Sequence, residues 1–419
     1  MKMRCNKGRN LIVGQSGGPT AVINASLSGV IDYALGRYEI DNIYGMINGI
    51  EGLLNDNLIN IGELFYNKPQ SLDRLKMTPA MYLGSCRLKL TNNEQLENIV
   101  EILKKYNIGY FVYIGGNDSM DTVKKLADYT KKKGIDIKVV GVPKTIDNDL
   151  DGIDHSPGFG SAAKCVATAV RNVTYDTSIY NIKSVHIIET MGRNAGWLAA
   201  SSVLARDVNS TAPHLIYLPE RVFSVEQYVE DVKAVLERLN SVIVVVSEGI
   251  KDKDGEYICA RADYVDEFGH AKMGGTANYL KDVVEKEIGC KVRALELSVL
   301  QRSSGHLTAQ TDMDEAFNLG VYATKIAIEG QTGVFSSLQR LSSRPYSVKY
   351  FAQNIDVVAN VEKTVPLEWI NEEGNYVTQE MVDYLKPLTT GVVQLPYRNG
   401  LPDYIDVSHL DKSIQKYSE

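Results

Sequence analysis

Short apolar runs rich in β-branched residues alternate with stretches whose apolar positions recur at helical spacing, from Asn10 to about Gly330. Asn10 to Val13, Asn42 to Asn48, Gly109 to Ile114 and Ile137 to Val142 predict buried strands. Helical periods follow them over Ala21 to Leu35, over a stretch ending at Tyr106 and over Met120 to Lys133. The helix ending at Tyr106 is opened by Thr91-Asn92-Asn93-Glu94, read as a capping box. Gly49 to Leu54 reads as a turn. A second cycle predicts strands over Ser184 to Glu189, His214 to Leu218, Ser241 to Val246 and Lys291 to Leu300. Its helices are Ser161 to Val173, Trp197 to Ala205, one capped at Ser224 and running to Leu239, Thr276 to Ile288, and Asp312 to Gly330. Such alternation predicts an α/β protein with doubly wound, mainly parallel sheets. Lys251 to Gly275 is a polar excursion, and beyond Gly330 five prolines break the tail into short pieces without a functional motif.

Composition narrows the class. Of 419 residues 44% are hydrophobic and 23% charged, enough for a large core. A net charge of −7 argues against a nucleic-acid partner. The five cysteines, Cys5, Cys86, Cys165, Cys259 and Cys290, are scattered without a Cys-x-x-Cys pair. Neither a disulfide framework nor a zinc site is expected, which suits a reducing compartment. Met1-Lys2-Met3-Arg4 leads directly into a strand, and no apolar run is long enough to span a bilayer. The expectation is a cytoplasmic protein without a membrane partner.

Chemistry gathers where strands end, which is where open α/β sheets bind ligands. Gly115-Gly116-Asn117-Asp118-Ser119 follows one strand, and Pro143-Lys144-Thr145-Ile146-Asp147-Asn148-Asp149 follows the next. The second loop offers a base, a metal ligand and a cation. A lone Asp-Asn-Asp is as readily a surface turn, but two such loops after consecutive strands favour a phosphate and metal site. Gly14-Gln15-Ser16-Gly17-Gly18 lies between a strand and a helix, where backbone N–H groups can receive an anion. Arg87 is either solvated or a phosphate contact. Glu248, just past a buried strand, is placed to accept hydrogen bonds from sugar hydroxyls.

With these motifs in this order the chain resembles the phosphofructokinase family between about Asn10 and Gly330. The carriers are Gly17-Gly18, Leu83-Gly84-Ser85-Cys86-Arg87, the two loops above, Met191-Gly192-Arg193 and Gln301-Arg302. The resemblance implies Mg2+-dependent phosphoryl transfer to the 1-hydroxyl of fructose 6-phosphate, in the cleft between two Rossmann-like lobes. It implies a donor lobe of 1–160 plus about 292–345, a sugar-phosphate lobe of 161–291, and a C-terminal extension, 346–419, packed on both. By similarity Asp147 is the catalytic base with Thr145 beside it, and Asp149 helps hold Mg2+. Arg193 and Arg87 face the transferring phosphoryl group, and Gly18 offers it a backbone N–H. Met191, Gly192 and Glu248 meet the sugar, while Arg293 and Arg302 meet its 6-phosphate. Some of these groups cross a subunit interface in the family, so a homodimer or homotetramer is expected.

Two positions bear on the donor. Asp118 and Lys144 stand where ATP-dependent members usually have glycine, and together they resemble the pyrophosphate-dependent branch. A carboxylate at Asp118 repels a nucleotide phosphate, and Lys144 can neutralise pyrophosphate. The bland alternative is that the two simply pair with each other. An ATP-dependent enzyme and a non-catalytic regulatory subunit are the competing functions. Asn117 replaces a metal-binding aspartate, leaving Mg2+ to Asp118 and Asp149. Ser184 and Val299 replace an arginine and a histidine at the substrate phosphate. Ser28 and Asp32 occupy the face where allosteric members carry arginines, so a non-allosteric enzyme able to run in glycolysis or in reverse is expected.

Overall fold

The computed structural model describes residues 8–258, 261–265, 271–272, 275–358 and 362–410. Its strands are β1 (Arg9–Gln15), β2 (Ile40–Met46), β3 (Leu58–Asn60), β4 (Ile108–Gly115), β5 (Lys138–Pro143), β6 (Ser184–Thr190) and β7 (Leu215–Tyr217), followed by β8 (Ser241–Ser247), β9 (Arg261–Val265), β10 (Ala271–Lys272), β11 (Lys291–Glu296), β12 (Val334–Ser343) and β13 (Tyr346–Asn354). A seven-stranded sheet runs β13-β12-β5-β4-β1-β2-β3, and a four-stranded sheet runs β11-β6-β8-β7. All pairs in the smaller sheet are parallel. In the larger one only β2/β3 and β12/β13 are antiparallel. The expected α/β class with mainly parallel sheets is observed.

The strongest strands are those whose sequence leaves no polar alternation. Val242, Ile243, Val244, Val245 and Val246 of β8 are all fully buried, each burial contributing about 1.5–3 kcal/mol before entropy is counted. Helices cover both faces because a sheet buried on both sides needs two apolar layers over it. Helix Gln310–Ile328 packs on the larger sheet, carrying the crossover into β12.

Several elements differ from the sequence reading. Gly49–Leu54 is a short helix, not a turn, entered through Asn48 in the left-handed region at φ 60°. The capping box is shifted by one residue: Asn92 accepts from the Gln95 N–H, and the Gln95 side chain accepts from the Asn92 N–H. β11 pairs with β6 in the smaller sheet, whereas the sequence puts about 292–345 with the first lobe. β13 completes the larger sheet, whereas the sequence predicts 346–419 as an extension packed on the lobes. The tail therefore contains a long hairpin with Pro345 in its turn. Beyond residues 334–338, alternate side chains of β12 face solvent, and polar residues there erase the strand signal. Part of the Lys251 to Gly275 excursion lies outside the described residues; β9 and β10 pair antiparallel within it.

Candidate active site

Loops from the carboxyl ends of β1, β4, β5, β6 and β8 converge on a cleft of about 490 Å³. It is lined by Gly18, Arg87, Asp118, Lys144, Thr145, Asp147, Asp149, Met191, Arg193, Glu248 and Arg302, all expected from the sequence. Gly192 contributes its backbone N–H to Glu248 Oε1 at 3.3 Å. Arg293 is the exception. It lies on edge strand β11, half exposed, 3.9 Å from Asp176, and is not part of the cleft lining. Ser184 is buried at the start of β6 and Val299 is 51% exposed; neither lines the cleft.

The glycine loop is shaped by what approaches it. Gly17 has φ +80°, and a Cβ on Gly18 would lie 2.9 Å from Arg302 Nη1. Glycine there lets the guanidinium come close to the backbone. Lys144 is 2% exposed and donates from Nζ to the Gly18 carbonyl at 2.6 Å. Asp118 instead pairs with Lys89 at 3.1 Å and remains half exposed. Lys144 and Asp118 thus do not neutralise each other. Burial pulls the Lys144 ammonium down to about 8 against the attraction of Asp147, and Arg302 adds to the pull.

Burial lifts the acidic groups above the usual carboxylate range. Burial raises the Asp147 carboxyl, opposed by Lys144, by the Thr145 hydroxyl and by Arg302 and Arg193. The Thr145 hydroxyl lies 3.4 Å from Asp147 Oδ2 and accepts from the Asp147 N–H at 3.1 Å, fixing the turn. Asp149 is pushed up to about 7 by burial and by the charge of Asp147. Glu248 is also pushed up to about 7, mainly by burial.

Asn117, not Asp118, is the partner of Asp149: its Nδ2 donates to Asp149 Oδ2 at 3.0 Å. The other oxygens of the pair, Asn117 Oδ1 and Asp149 Oδ1, are buried and have no hydrogen-bond partner among the described residues. Two unpartnered hard oxygens fit Mg2+, which takes few protein ligands and completes its shell with phosphate and water. Among the described residues no group of three or more His, Cys, Asp or Glu side chains could hold a metal by itself.

The sequence reading missed Glu362 and Asn194, which also line the cleft. Asn194 Nδ2 donates to Glu362 Oε1 at 3.1 Å, and Glu362 is bridged to Leu150. Asn194 directly follows a recognised motif, whereas no local pattern marks Glu362.

A family model described as phosphofructokinase matches residues 10–327. The pyrophosphate–fructose 6-phosphate 1-phosphotransferase of Methylococcus capsulatus is 38% identical over 96% of each chain. The enzyme of that name from Xanthomonas campestris is 39% identical over 96% of each chain. Among solved structures, the pyrophosphate-dependent phosphofructokinase of Nitrosospira multiformis superposes with a TM-score of 0.87 at 36% identity, over 95% of this chain and 96% of that one. With the matched motifs gathered in one cleft, the chain belongs to the phosphofructokinase family.

Proposed function

We propose that this cleft transfers a phosphoryl group reversibly from pyrophosphate to the 1-hydroxyl of fructose 6-phosphate, giving fructose 1,6-bisphosphate and phosphate. The observation that carries the donor assignment is Lys144, a buried cation on the Gly18 carbonyl, with the Asp118 carboxylate standing apart at the rim. A donor made only of phosphate gains most from a compact cationic pocket and loses nothing where a nucleotide would meet Asp118. The full-length relatives carrying the same name support this choice over an ATP-dependent enzyme. Retention of Asp147, Asp149 and Arg193 in one cleft favours an enzyme over a regulatory subunit.

Loops of the larger sheet supply Gly18, Arg87, Asp118 and Lys144 to the donor, and loops of the smaller sheet supply Met191, Arg193 and Glu248 to the sugar. The sugar 1-hydroxyl oxygen bonds to phosphorus as the bridging P–O bond of pyrophosphate breaks and phosphate leaves. Asp147 takes the hydroxyl proton, and its raised affinity for a proton suits that role. Arg193, Arg302 and Lys144 surround Asp147 and offset the negative charge of the transferring group. Asp149 and Asn117 would hold Mg2+, which when bound would supply charge neutralisation for the phosphate oxygens. Asp118, paired with Lys89, serves better as a donor gate than as a metal ligand. Arg293 on the edge strand supports a homo-oligomer in which this side chain serves the 6-phosphate in a neighbouring subunit's cleft. No described helix is long and apolar enough to cross a membrane, and we place the enzyme in the cytoplasm, without classical allosteric control. Phosphorus NMR of fructose 6-phosphate, pyrophosphate and Mg2+ with enzyme tests the reading: a sugar 1-phosphate signal and equimolar phosphate are expected, and unreacted pyrophosphate would sink it.

A further inference from the structure

The residue between the two catalytic-loop aspartates faces away from the cleft. Asn148 is fully buried and holds φ +55°, a left-handed conformation that asparagine tolerates better than most residues. Its Oδ1 accepts from the Ser156 N–H at 3.0 Å, and its Nδ2 donates to the Tyr384 hydroxyl at 3.0 Å. That hydroxyl donates onward to the Asp154 carbonyl at 2.9 Å, so Asn148 Oδ1, Asn148 Nδ2 and the Tyr384 hydroxyl each have a partner. The Tyr384 ring is wedged against Trp197 and Trp369, each with its centroid 5.4 Å away. Arg340 stands 4.6 Å over its face and donates to its carbonyl at 3.0 Å. The same C-terminal segment grips the loop again: the Lys363 N–H donates to the Asp149 carbonyl at 2.9 Å, and the Lys363 carbonyl accepts from Trp197 Nε1 at 2.9 Å. Asp147 and Asp149 both line the cleft in front of this anchorage.

We propose that Asn148 and Tyr384 are positioning residues, a tether through which the C-terminal segment fixes the placement of Asp147 and Asp149 for phosphoryl transfer. The inference rests on the phosphotransferase reading of the cleft. A strained backbone conformation persists only where its surroundings over-determine it, and here the tether does so. Phosphoryl transfer depends on position more than on covalent chemistry, so loosening the loop slows turnover rather than binding.

Tyr384→Phe removes the hydroxyl and keeps the ring in its aromatic setting. It is expected to lower kcat by about tenfold with KM for both substrates within about twofold. Hydrogen–deuterium exchange over 146–154 is expected to quicken, while melting temperature falls by only a few degrees. Asn148→Gly, which fits the positive φ without strain but lacks both side-chain bonds, is expected to fall at least as far. Unchanged exchange in both variants, a kcat within twofold of wild type, or a loss confined to KM would overturn the proposal. A lowered melting temperature with unchanged kcat would mark a purely structural contact and overturn it too. A wild type inactive with pyrophosphate sinks the functional reading instead, and the exchange measurement still judges the tether.

Discussion

Replacing Lys144 by methionine removes the buried charge while nearly keeping the side chain's length. In the folded protein the ammonium is pulled from 10.5 to about 8, which at about 1.4 kcal/mol per pH unit is a net cost near 3 kcal/mol for holding it charged at pH 7. The sign follows from the depressed value: the cost is full below pH 8 and disappears as pH rises from there towards 10.5. Lys144→Met relieves that cost but strands the Gly18 carbonyl, a loss of about 1–3 kcal/mol, so stability should stay level or rise slightly. Catalysis should move the other way. Losing one preorganised cation at the transferring group costs about a hundred- to a thousandfold in kcat/KM for pyrophosphate. Urea unfolding and initial rates on one preparation make the comparison. A variant that is markedly less stable, or that keeps kcat/KM within about threefold, would refute the assignment of Lys144 as a functional cation held at the expense of stability.

Asn117→Ala deletes one of the two unpartnered oxygens beside Asp149 and should raise the Mg2+ concentration for half-maximal rate by about tenfold, the scale of a lost metal contact; an unchanged Mg2+ titration would remove Asn117 from the metal site. His155 is fully enclosed between Asp154 Oδ1 at 2.8 Å and Glu315 Oε2 at 2.6 Å. Burial alone would lower its imidazole, but the two carboxylates outweigh it and hold the group up to about 9. Because that lies above its ordinary 6.5, the contribution is complete below pH 6.5 and is lost as pH rises through about 9. The full contribution is on the order of 3 kcal/mol. His155→Gln should therefore narrow its stability gap to wild type between pH 6.5 and 10, and parallel urea-midpoint curves across that range would contradict the charged pair.

Much of the site was legible because its information is local. A β-branched run buries itself, and the loop that leaves its carboxyl end must carry whatever chemistry the sheet presents. That is why Gly18, Lys144, Asp147, Asp149 and Glu248 could be named along the chain, with Arg193 added by the family resemblance, and then meet in one cleft. Pairing across the fold was harder to read. Asn117 opens the helix Asn117–Lys132 after β4 and Asp149 lies on the loop after β5, and only the side-chain geometry shows that Asn117 turns to Asp149 while Asp118 turns to Lys89. Tyr384 reaches Asn148 over 236 residues of sequence, from a tail whose prolines and outward polar residues disguise its strands. Glu362 enters the cleft by the same route. Arg293 is assigned to the 6-phosphate by family resemblance alone, and its place on an edge strand follows from sheet order, which the hydrophobic pattern does not encode.

The phosphoryl donor defines the reaction. The ratio of kcat/KM for pyrophosphate to that for ATP, measured with fructose 6-phosphate and Mg2+ on wild type and on the double variant Asp118→Gly, Lys144→Gly, tests it most directly. Wild type should favour pyrophosphate by at least about a hundredfold, and the double variant should shift the ratio towards ATP by at least about tenfold. A wild type that prefers ATP, or a double variant whose ratio does not move, would contradict it.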